Sequence, residues 1–595
     1  MGVEGALEEN KLIIYKSVRN QRWCQRPYDS YLAESLRRTT RLPEVISNML
    51  SRYVSSPEDA DQYINPTLKK LLPDPYVLKD MDKAVDVVVK AIKDGKKIVV
   101  FGDYDVDGAT SSAVIKKTME AVGCEIGIYI PDRIKEGYGP NINAIQKLKE
   151  SGYDIIITVD CGSSAHKEVE YAKRLGFEVI ILDHHKCSDI LPNADALVNP
   201  NRIDDQSGYG YLAAVGVSFL FAVALHKRVK KEFEDIKEFN LLHLLDLVAL
   251  GTVCDVVPLI GVNRAFVRQG LKVIMLKNNI GLSALIDVCG IAENISVYHL
   301  GFIIGPRINA GGRVGESYLG SEILTSNDYE ASIALATTLD MYNQERKEIE
   351  LSVLEEATKQ AASINKEDSV IVVNGDGWHQ GVIGIVAGRL KEMFHKPVAV
   401  ISFDENHLGK ASCRSIEGID FGAAVIDAKK YSLLQDGGGH AMAAGFSIAR
   451  ENLDKFKEFL VLRFAEDYKK IKDNMVSYYA ATLSVSSIDI SLINHISSMG
   501  PFGSGNAQPR FLLSNIVILY PKILKDSHIS CIISGDKNSM NKGSIRAIAF
   551  SVMQNSMGEL LLSQKYELSL VVTLDINRWQ GSETPQLVIQ DMIMS

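Results

Sequence analysis

Between residues 97 and 198, short apolar runs alternate with amphipathic segments, and this alternation restricts the possible folds more than any other feature of the chain. The runs with strand character are 97–101, 125–130, 154–159, 178–182 and 196–198, and the segments with helical spacing are 111–122, 142–151 and 166–175. Strands that alternate with helices are typical of a parallel, doubly wound sheet. We therefore predict an α/β fold for this region.

Several apolar segments end in side chains that can ligate a metal ion. These are Asp103, Asp105 and Asp107 after 98–102, Asp160 after 154–159, Asp183-His184-His185 after 178–182, and Asp255 after 245–253. Ligands of open sheets bind at the carboxyl ends of strands, so we expect these side chains to meet at one edge. Carboxylates and imidazoles without thiolates suit Mn²⁺ or Mg²⁺ better than structural zinc.

A single aspartate at the end of a strand is usually a helix N-cap or a turn residue. Asp160 and Asp255, each taken alone, are open to that interpretation. Three crowded acids at 103, 105 and 107 are harder to explain in this way, because a turn needs only one carboxylate. The adjacent histidines 184 and 185 after an apolar strand also favour a functional site.

The remaining pattern predicts further segments. We expect a leader with short helices at 1–79, a first α/β domain at 80–327, a long connecting helix at 328–363, a smaller α/β domain at 364–466 and a β-rich domain at 467–595. The short strand-like runs of the last segment fit a small barrel or sandwich, and an OB-type barrel belongs to that class.

Composition excludes several classes of protein. The formal net charge is -9, so any nucleic acid has to bind to local basic patches. The eight cysteines form no CxxC pair, which argues against a disulfide framework or a zinc ribbon and favours a reducing compartment. The sequence contains no P-loop motif, no signal-peptide pattern and no apolar run of membrane length, and a cytoplasmic location is expected.

Two short segments are candidates for phosphate binding. Gly437-Gly438-Gly439-His440 is predicted to be a glycine-rich loop whose N–H groups approach a phosphate, or else a tight turn before a helix. The span 409–415 places Lys410, Arg414 and two hydroxyl groups close together. That chemistry suits phosphate, although a solvated strand is the commoner meaning of such a stretch.

As a set, these motifs resemble the DHH phosphoesterase superfamily, which is named after its Asp-His-His triplet. The resemblance rests on the motifs at 103–108, 160, 183–185, 255 and 437–440. Further segments at 131–139, 251–258, 305–313 and 501–506 are similar to the bacterial members that degrade single-stranded DNA from the 5′ end. The resemblance implies a parallel-sheet DHH core and a smaller DHH-associated α/β domain joined by a long helix, followed by an OB-type β-barrel.

The resemblance also implies roles for individual residues. The implied ligands of two cations, Mn²⁺ or Mg²⁺, are Asp105, Asp107, Asp160, His184 and Asp255. The implied catalytic residues are His185 near the scissile phosphate, Asp183 as the acid that orients the histidines, and Asp103 as a supporting acid. The implied contacts to substrate phosphates are Arg133, Arg307, Ser412, Arg414, Gly438, Gly439 and His440.

The implied activity is two-metal hydrolysis of single-stranded DNA from 5′ to 3′, in recombination and repair. The implied partners are single-stranded DNA, a single-strand-binding protein and a helicase, and the resemblance implies a monomer without membrane contact. Two other functions stay open at this point. A phosphodiesterase for oligonucleotides or cyclic dinucleotides would not need a β-rich strand-binding module. A non-catalytic DNA-binding scaffold would not need the complete set of acids and histidines.

Overall fold

The computed structural model describes residues 14–133, 135–233, 239–292, 294–535, 543–553, 556–563, 568–579 and 581–594, except for the side chain of Trp579. The chain forms two compact units. One consists of residues 72–473, and the other combines residues 1–71 with residues 474–595. The segments that begin and end the chain therefore belong to one structural unit.

The first described residues form short strands and helices. They are β1 (Tyr15–Lys16), β2 (Arg22–Gln25), α1 (Ser30–Thr40), α2 (Glu44–Leu50), α3 (Pro57–Ile64) and α4 (Leu68–Leu71). Helix α1 begins after Asp29, whose side chain accepts a hydrogen bond from the N–H of Leu32 at 2.9 Å. This N-cap satisfies a backbone donor that the helix itself leaves free.

Residues 81–198 form the predicted parallel sheet. The elements are α5 (Met81–Asp94), β3 (Ile98–Gly102), α6 (Val106–Ala121), β4 (Ile126–Tyr129), α7 (Ile142–Glu150), β5 (Ile155–Val159), α8 (His166–Arg174), β6 (Glu178–Leu182) and β7 (Ala196–Val198). The strand order is β4-β3-β5-β6-β7, and all neighbours are parallel. Strands β3 and β5 are buried throughout, because helices cover the sheet. The predicted α/β fold is confirmed.

From residue 214 to residue 363 the described chain is helical. The helices are α9 (Ala214–Glu232), α10 (Leu245–Cys254), α11 (Gly261–Ile274), α12 (Ile280–Val288), the π-helix His299–Ile304, α13 (Gly305–Val314), α14 (Leu319–Thr325) and α15 (Tyr329–Ser363). Helix α15 has 35 residues and is the predicted long helix. None of the described helices combines the length and the apolarity needed to cross a membrane.

The second α/β domain follows α15. Its elements are β8 (Ile371–Asp376), α16 (Gln380–Phe394), β9 (Val398–Phe403), β10 (Leu408–Arg414), α17 (Phe421–Lys430), β11 (Asp436–His440), β12 (Ala443–Ala449) and α18 (Leu453–Asn474). The strand order is β11-β12-β10-β9-β8, in which only β8 and β9 are parallel.

The glycine-rich segment is a strand, so the predicted loop or tight turn is wrong. Strand β11 pairs with β12 in antiparallel register at the edge of the sheet. A Cβ atom on Gly439 would lie 2.4 Å from the Cα of Ala444, and one on Gly437 would lie 2.7 Å from Val425. The glycines therefore allow a close approach of neighbouring chain segments, which the sequence pattern does not distinguish from a loop.

The C-terminal segment forms the predicted β-barrel. Its elements are β13 (Ser477–Tyr479), β14 (Ala481–Leu483), α19 (Ile490–Ser498), β15 (Phe511–Leu524), β16 (His528–Ser534), β17 (Ser544–Ala549), α20 (Ser556–Ser563), β18 (Leu568–Trp579) and β19 (Ser582–Met594). The strand order is β14-β15-β16-β17-β19-β18, and an additional pairing of β15 with β18 closes the sheet.

The leader and the barrel share a hydrophobic core. Ile46 and Leu50 of α2 are fully buried in the same cluster as Phe511 of β15. Strand β2 pairs with β13, and the indole N–H of Trp23 donates to Asp591 Oδ2 at 2.8 Å. Residues 14–71 therefore bury their apolar side chains against the barrel rather than against one another alone.

Candidate metal centre

The first acidic motif lies where β3 ends and α6 begins. Asp105 is the N-cap of α6, and its Oδ1 accepts a hydrogen bond from the N–H of Gly108 at 3.1 Å. A Cβ atom on Gly108 would lie 2.3 Å from the carbonyl oxygen of Asp103. The turn is therefore tight enough to require glycine, and it holds Asp103, Asp105 and Asp107 within one short stretch.

The other predicted acids and histidines end separate elements. Asp160 follows β5, the triplet beginning with Asp183 follows β6, and Asp255 follows α10. Asp160 has a φ of 60°, a left-handed conformation that is uncommon for residues other than glycine. Its carbonyl oxygen accepts a hydrogen bond from the hydroxyl of Tyr138 at 3.0 Å.

The Nε2 atom of His184 faces three carboxylates. It lies 3.3 Å from Asp160 Oδ1, 3.6 Å from Asp255 Oδ2 and 3.8 Å from Asp107 Oδ2. On the opposite side of the ring, Nδ1 lies 3.1 Å from the carbonyl oxygen of Leu212. Because a carbonyl group only accepts hydrogen bonds, Nδ1 carries the proton and Nε2 presents its lone pair to the acids.

Three overlapping groups of side chains have the spacing of a metal site. Within each group the ligand atoms lie within 4.8 Å of one another. The groups are Asp103-Asp105-Asp160, Asp107-His184-Asp255 and Asp160-His184-His185. Asp160 and His184 each belong to two groups, so both residues are central to the cluster.

Buried polar atoms of this cluster lack hydrogen-bond partners within the described part of the chain. They are Asp103 Oδ1, Asp160 Oδ1, His184 Nε2 and Asp255 Oδ2. Buried polar atoms are normally paired, and a cation would satisfy such atoms without further donors. Carboxylate oxygen and imidazole nitrogen are ligands that Mn²⁺ and Mg²⁺ accept, so the donor set fits a divalent-cation centre.

The cluster is electrostatically strained without a cation. Burial, and then the charge of Asp105, raises the pKa of Asp107 to about 7. Burial, and then the charge of Asp107, raises the pKa of Asp255 to about 9. Burial and neighbouring carboxylates also raise the pKa of Asp103 and Asp160 well above the ordinary range. A nearby positive charge would stabilise the ionised forms of all four acids.

Asp183 and His185 form a separate hydrogen-bonded pair at the edge of the cluster. Asp183 Oδ1 accepts from His185 Nδ1 at 2.8 Å, and Asp183 Oδ2 accepts from the N–H of Ser163 at 3.1 Å. Burial alone would raise the pKa of Asp183, but the bond from His185 holds this pKa below its ordinary value. The side chain of His185 is 42% exposed, so its ring can meet a ligand from solution.

One structural role of Asp107 is not visible in the sequence. Its Oδ2 accepts from the N–H of Ala214 at 2.7 Å, and its Oδ1 accepts from the N–H of Val215 at 2.9 Å. These are orphan donors of the first turn of α9. The acid therefore joins α6 to a helix that begins more than a hundred residues later.

Arginines from both α/β domains gather near the acids. The guanidinium of Arg133 lies 4.7 Å from the ring centroid of Tyr104, next to Asp103 in the chain. Partial desolvation lowers the pKa of Arg133, and the charges of Arg313 and Arg414 lower it further, which reflects their proximity. Burial lowers the pKa of Arg313 as well, whereas the charge of Asp105 opposes that change.

Two glycines of α16 lie against this arginine cluster. Arg313 Nη1 donates to the carbonyl oxygen of Gly381 at 3.0 Å, which links the two α/β domains. Arg414 Nη1 lies 3.4 Å from Ser412 Oγ, and a Cβ on Gly384 would lie 3.0 Å from the same Oγ. The structure therefore brings Arg133, Ser412 and Arg414 together as predicted. Arg313 joins them without having been predicted.

The structure does not place every predicted phosphate contact in this cluster. Arg307 donates through Nε to Asp340 Oδ1 at 2.8 Å and through Nη1 to the carbonyl oxygen of Ile303 at 2.7 Å. Its guanidinium is thus engaged by a carboxylate of α15. Gly438, Gly439 and His440 lie exposed on β11, and within the described part of the chain none of them forms a hydrogen bond or an ion pair with the acids.

The parallel sheet gathers aspartates and an Asp-His-His triplet at one edge, and a second α/β domain follows it. This combination defines a DHH phosphoesterase. Family models agree with this class along the chain. They are "DHH family, N-terminal domain" at residues 97–252, "DHHA1 domain" at residues 367–466 and "RecJ OB domain" at residues 479–591.

Curated relatives extend the similarity over nearly the whole chain. The single-stranded-DNA-specific exonuclease RecJ of Escherichia coli K12 is 34% identical over 580 residues, which cover 93% of this chain and 97% of that protein. The RecJ of Bacillus subtilis strain 168 is 32% identical over 582 residues, which cover 96% of this chain and 71% of that protein. The chain belongs to the RecJ family.

Solved structures support the same assignment. A crystal structure of RecJ from Thermus thermophilus in complex with Mn²⁺ has a TM-score of 0.78 at 26% identity, and the match covers 96% of this chain and 79% of that chain. A second structure, of an exonuclease RecJ bound to manganese, has a TM-score of 0.57 at 32% identity and covers 66% of this chain and 97% of that one. The fold predicted from the sequence is confirmed.

Proposed function

We propose that this protein is a single-stranded-DNA-specific exonuclease that hydrolyses phosphodiester bonds from 5′ to 3′ with two divalent cations, Mn²⁺ or Mg²⁺. The observation that carries the proposal is the arrangement around His184, whose Nε2 lone pair faces three carboxylates at 3.3 to 3.8 Å. The RecJ relatives are named for this activity, and two related crystal structures contain Mn²⁺.

The cations would be held by residues that the cluster brings together. The proposed ligands are Asp105, Asp107, Asp160, His184 and Asp255, with Asp103 as a supporting acid. Asp160 is the one carboxylate that belongs to two of the three groups with metal-site spacing, so it would help to hold both cations. When bound, divalent cations stabilise negative charge on a phosphate and lower the pKa of a coordinated water.

The remaining polar residues position the substrate. His185 would contact the scissile phosphate, because Asp183 engages its Nδ1, which leaves Nε2 without that partner, and because the side chain is 42% exposed. Asp183 accepts from both ring and backbone of His185, so it sets the orientation of that ring.

The arginine cluster would bind the 5′ phosphate of the strand. Arg133, Ser412 and Arg414 supply guanidinium and hydroxyl donors, and Arg313 adds a third guanidinium close to Asp105. A site for a terminal phosphate beside the metal centre explains why cleavage would begin at the 5′ end. We leave Arg307 out of this site because Asp340 already engages it. Gly438, Gly439 and His440 would contact the backbone of the strand from β11.

Further parts of the proposal rest on the family resemblance. We propose a leader at 1–79, a DHH domain at 80–327, a connecting helix at 328–363, a DHH-associated domain at 364–466 and a strand-binding barrel at 467–595. We also propose a role in recombination and repair, a cytoplasmic location and a monomeric state. The proposed protein partners are a single-strand-binding protein and a helicase. The closed barrel supports a polymeric substrate rather than a dinucleotide.

The experiment that tests this function follows the fate of labelled nucleic acids. Single-stranded and double-stranded DNA and RNA, each labelled at the 5′ or the 3′ end, are incubated with the protein and Mn²⁺ or Mg²⁺. We expect immediate release of the 5′ label as a mononucleotide and gradual shortening of 3′-labelled single-stranded DNA. Intact single strands together with cleaved dinucleotides would instead identify a small-substrate phosphodiesterase.

A further inference from the structure

The unit formed by residues 1–71 and 474–595 contains a cavity of about 270 Å³ that takes no part in the proposed reaction. Its walls come from α2 and the residues after it, from 477–480, and from the loop 499–510, which includes the Pro-Phe-Gly-Ser-Gly-Asn motif at 501–506. The lining includes Arg26, Arg52 and Arg510, and no aspartate or glutamate is among the described residues that line it.

Two of these arginines form no ion pair with a carboxylate in the described part of the chain, although the charge of Asp591 acts on Arg510 from outside the cavity lining. The guanidinium of Arg26 lies 5.3 Å from the ring centroid of Tyr478, and that of Arg510 lies 5.4 Å from the ring centroid of Trp23. Both residues are exposed, so their N–H donors can reach a ligand from solution. Such stacked guanidinium groups keep their hydrogen-bonding edge free.

The third arginine is fixed in place by the backbone. Arg52 donates through Nε to the carbonyl oxygen of Pro27 at 3.2 Å, and through Nη2 to the carbonyl oxygens of Arg26 and Ala480, both at 3.0 Å. Two of its three guanidinium nitrogens are used in this way. Its positive charge is thus held at the wall of the cavity without a neutralising acid.

The charge of Arg26 is close enough to act on both of the other arginines. Partial desolvation lowers the pKa of Arg52 and of Arg510, and the charge of Arg26 lowers both pKa values further. At Arg510 the charge of Asp591 opposes this change. Like charges gathered in this way repel, and the chain as a whole carries a formal charge of -9. A local concentration of positive charge in an acidic protein is what an anionic ligand would neutralise.

The loop that forms one wall is rigidly braced. Asn506 is buried, and its Nδ2 donates to the carbonyl oxygens of Met499 at 3.0 Å and Pro501 at 2.8 Å. Its Oδ1 accepts from the hydroxyl of Tyr63 at 2.9 Å. The asparagine of the motif therefore has a structural role, and the wall it supports is shaped before any ligand arrives.

We propose that this cavity binds a backbone phosphate of single-stranded DNA, with an adjacent base resting against its aromatic wall. Guanidinium groups match phosphate oxygens in geometry and charge. The aromatic lining residues are Tyr53, Tyr478, Tyr479 and Phe502. Arginines combined with aromatic rings are the usual means of holding single strands without sequence preference. The inference rests on the proposed function for the identity of the strand.

The test measures strand binding without cleavage. A fluorescent oligothymidylate is titrated with the full-length protein in EDTA at several salt concentrations, and the variant R26Q/R510Q is compared with wild type. We expect about tenfold weaker binding, because two phosphate donors are lost. The slope of log K, with K the association constant, against log[salt] should become less negative by about 0.7 for one lost phosphate contact. The variant R26K/R510K keeps the charges and should keep the slope.

The matched control is R38Q in α1, because Arg38 is exposed and already paired with Glu34 at 2.7 Å. It should bind like wild type. Unchanged affinity and slope in R26Q/R510Q would overturn the inference. Thymidine monophosphate and inorganic phosphate are titrated in parallel. If R26Q/R510Q loses affinity for these free anions but not for the oligothymidylate, the inference is overturned too, because the ligand would then be a free anion.

Hydrolysis by wild-type protein separates this inference from the proposed function. Wild type that cleaves single strands while R26Q/R510Q binds them normally would refute the inference alone. The opposite outcome is also informative. If wild type cleaves no strand, but R26Q/R510Q shows the expected weaker binding and weaker salt dependence, the proposed function is refuted and the phosphate site stays supported. The unfolding temperatures of R26Q/R510Q and R26K/R510K should be similar to that of wild type. Neither Arg26 nor Arg510 forms an ion pair or a side-chain hydrogen bond within the described residues.

Discussion

The Nδ1–H of His184 donates to the carbonyl oxygen of Leu212 at 3.1 Å, and this contact determines which nitrogen of the ring can bind a cation. Burial, and then the charge of His185, lowers the pKa of His184 to about 4, so the ring is neutral near neutral pH. Its Nε2 lone pair is therefore available without loss of a proton. The backbone of the segment before α9 thus orients a ligand that sits at the end of β6.

Replacing His184 should abolish cation-dependent hydrolysis. Loss of a ligand to a catalytic cation removes several kcal/mol of charge stabilisation, so we expect H184A to lower kcat/KM at least about a hundredfold. Mn²⁺ should raise the unfolding temperature of wild type by binding only the folded state, and should not do so in H184A. H243A, at an exposed histidine, is the matched control and should behave like wild type. A full thermal shift in H184A would contradict the assignment.

Cation affinity should rise with pH. The pKa of Asp107 is raised to about 7 and that of Asp255 to about 9, so both acids hold protons below those values when no cation is bound. A cation binds the deprotonated carboxylates and must displace these protons, which weakens binding as the pH falls. We expect Mn²⁺ affinity to increase by about tenfold per pH unit for each proton released, between pH 6 and pH 8.

Isothermal titration calorimetry in two buffers of different ionisation enthalpy counts those protons directly. The account predicts net proton release at pH 7 and weaker binding at pH 6. Mn²⁺ affinity that does not depend on pH, with no proton release, would show that the acids are already ionised in the free protein.

The arginine cluster should give a preference for a 5′-phosphorylated end. R414Q removes a charged donor beside Ser412, and we expect it to raise KM for 5′-phosphorylated strands about tenfold while changing KM for 5′-hydroxyl strands little. R313Q should act in the same direction. R307Q is the matched control, because Arg307 is engaged by Asp340. It should leave the ratio of KM for 5′-hydroxyl strands to KM for 5′-phosphorylated strands unchanged. Equal ratios in R414Q and wild type would remove the pocket from the account.

The leader should be needed for a stable barrel. Ile46 is fully buried in the core that includes Phe511, so I46A should lower the free energy of unfolding by roughly 2–5 kcal/mol. Urea unfolding followed by circular dichroism measures this change. Y31A, at a tyrosine that is 91% exposed in α1, should leave it nearly unchanged. A barrel of residues 474–595 that folds stably without residues 1–71 would contradict the shared core.

The sequence predicts the parallel sheet and its acids because both follow from local pattern. Apolar runs form β3, β5 and β6, and parallel strands place their carboxyl ends at one edge, so Asp160 and His184 had to meet. Asp107 was predicted as a ligand, but its bonds to the first turn of α9 depend on tertiary placement that spacing does not reveal.

Other features were missed because their signal is non-local. Arg313 lies in the segment 305–313, but its closeness to Arg414 of β10 depends on how the two α/β domains pack, which no local pattern reveals. A run of glycines suggests a loop unless the neighbouring strand is known, which is why β11 was misassigned. For strand binding by the barrel, the sequence offers Lys522, Lys525 and Arg546 as basic candidates and Trp579 as an aromatic one. The side chain of Trp579 lies outside the described residues.

The most direct test of the central claim is the release of nucleoside monophosphates from single-stranded DNA by wild type and by D160N. Asp160 belongs to two of the groups with metal-site spacing, and the substitution removes its charge with little change of shape. The account predicts Mn²⁺- or Mg²⁺-dependent release by wild type, none in EDTA, and at least about a hundredfold slower release by D160N. Equal rates for D160N and wild type, or release by wild type in EDTA, would contradict a two-cation mechanism at this cluster.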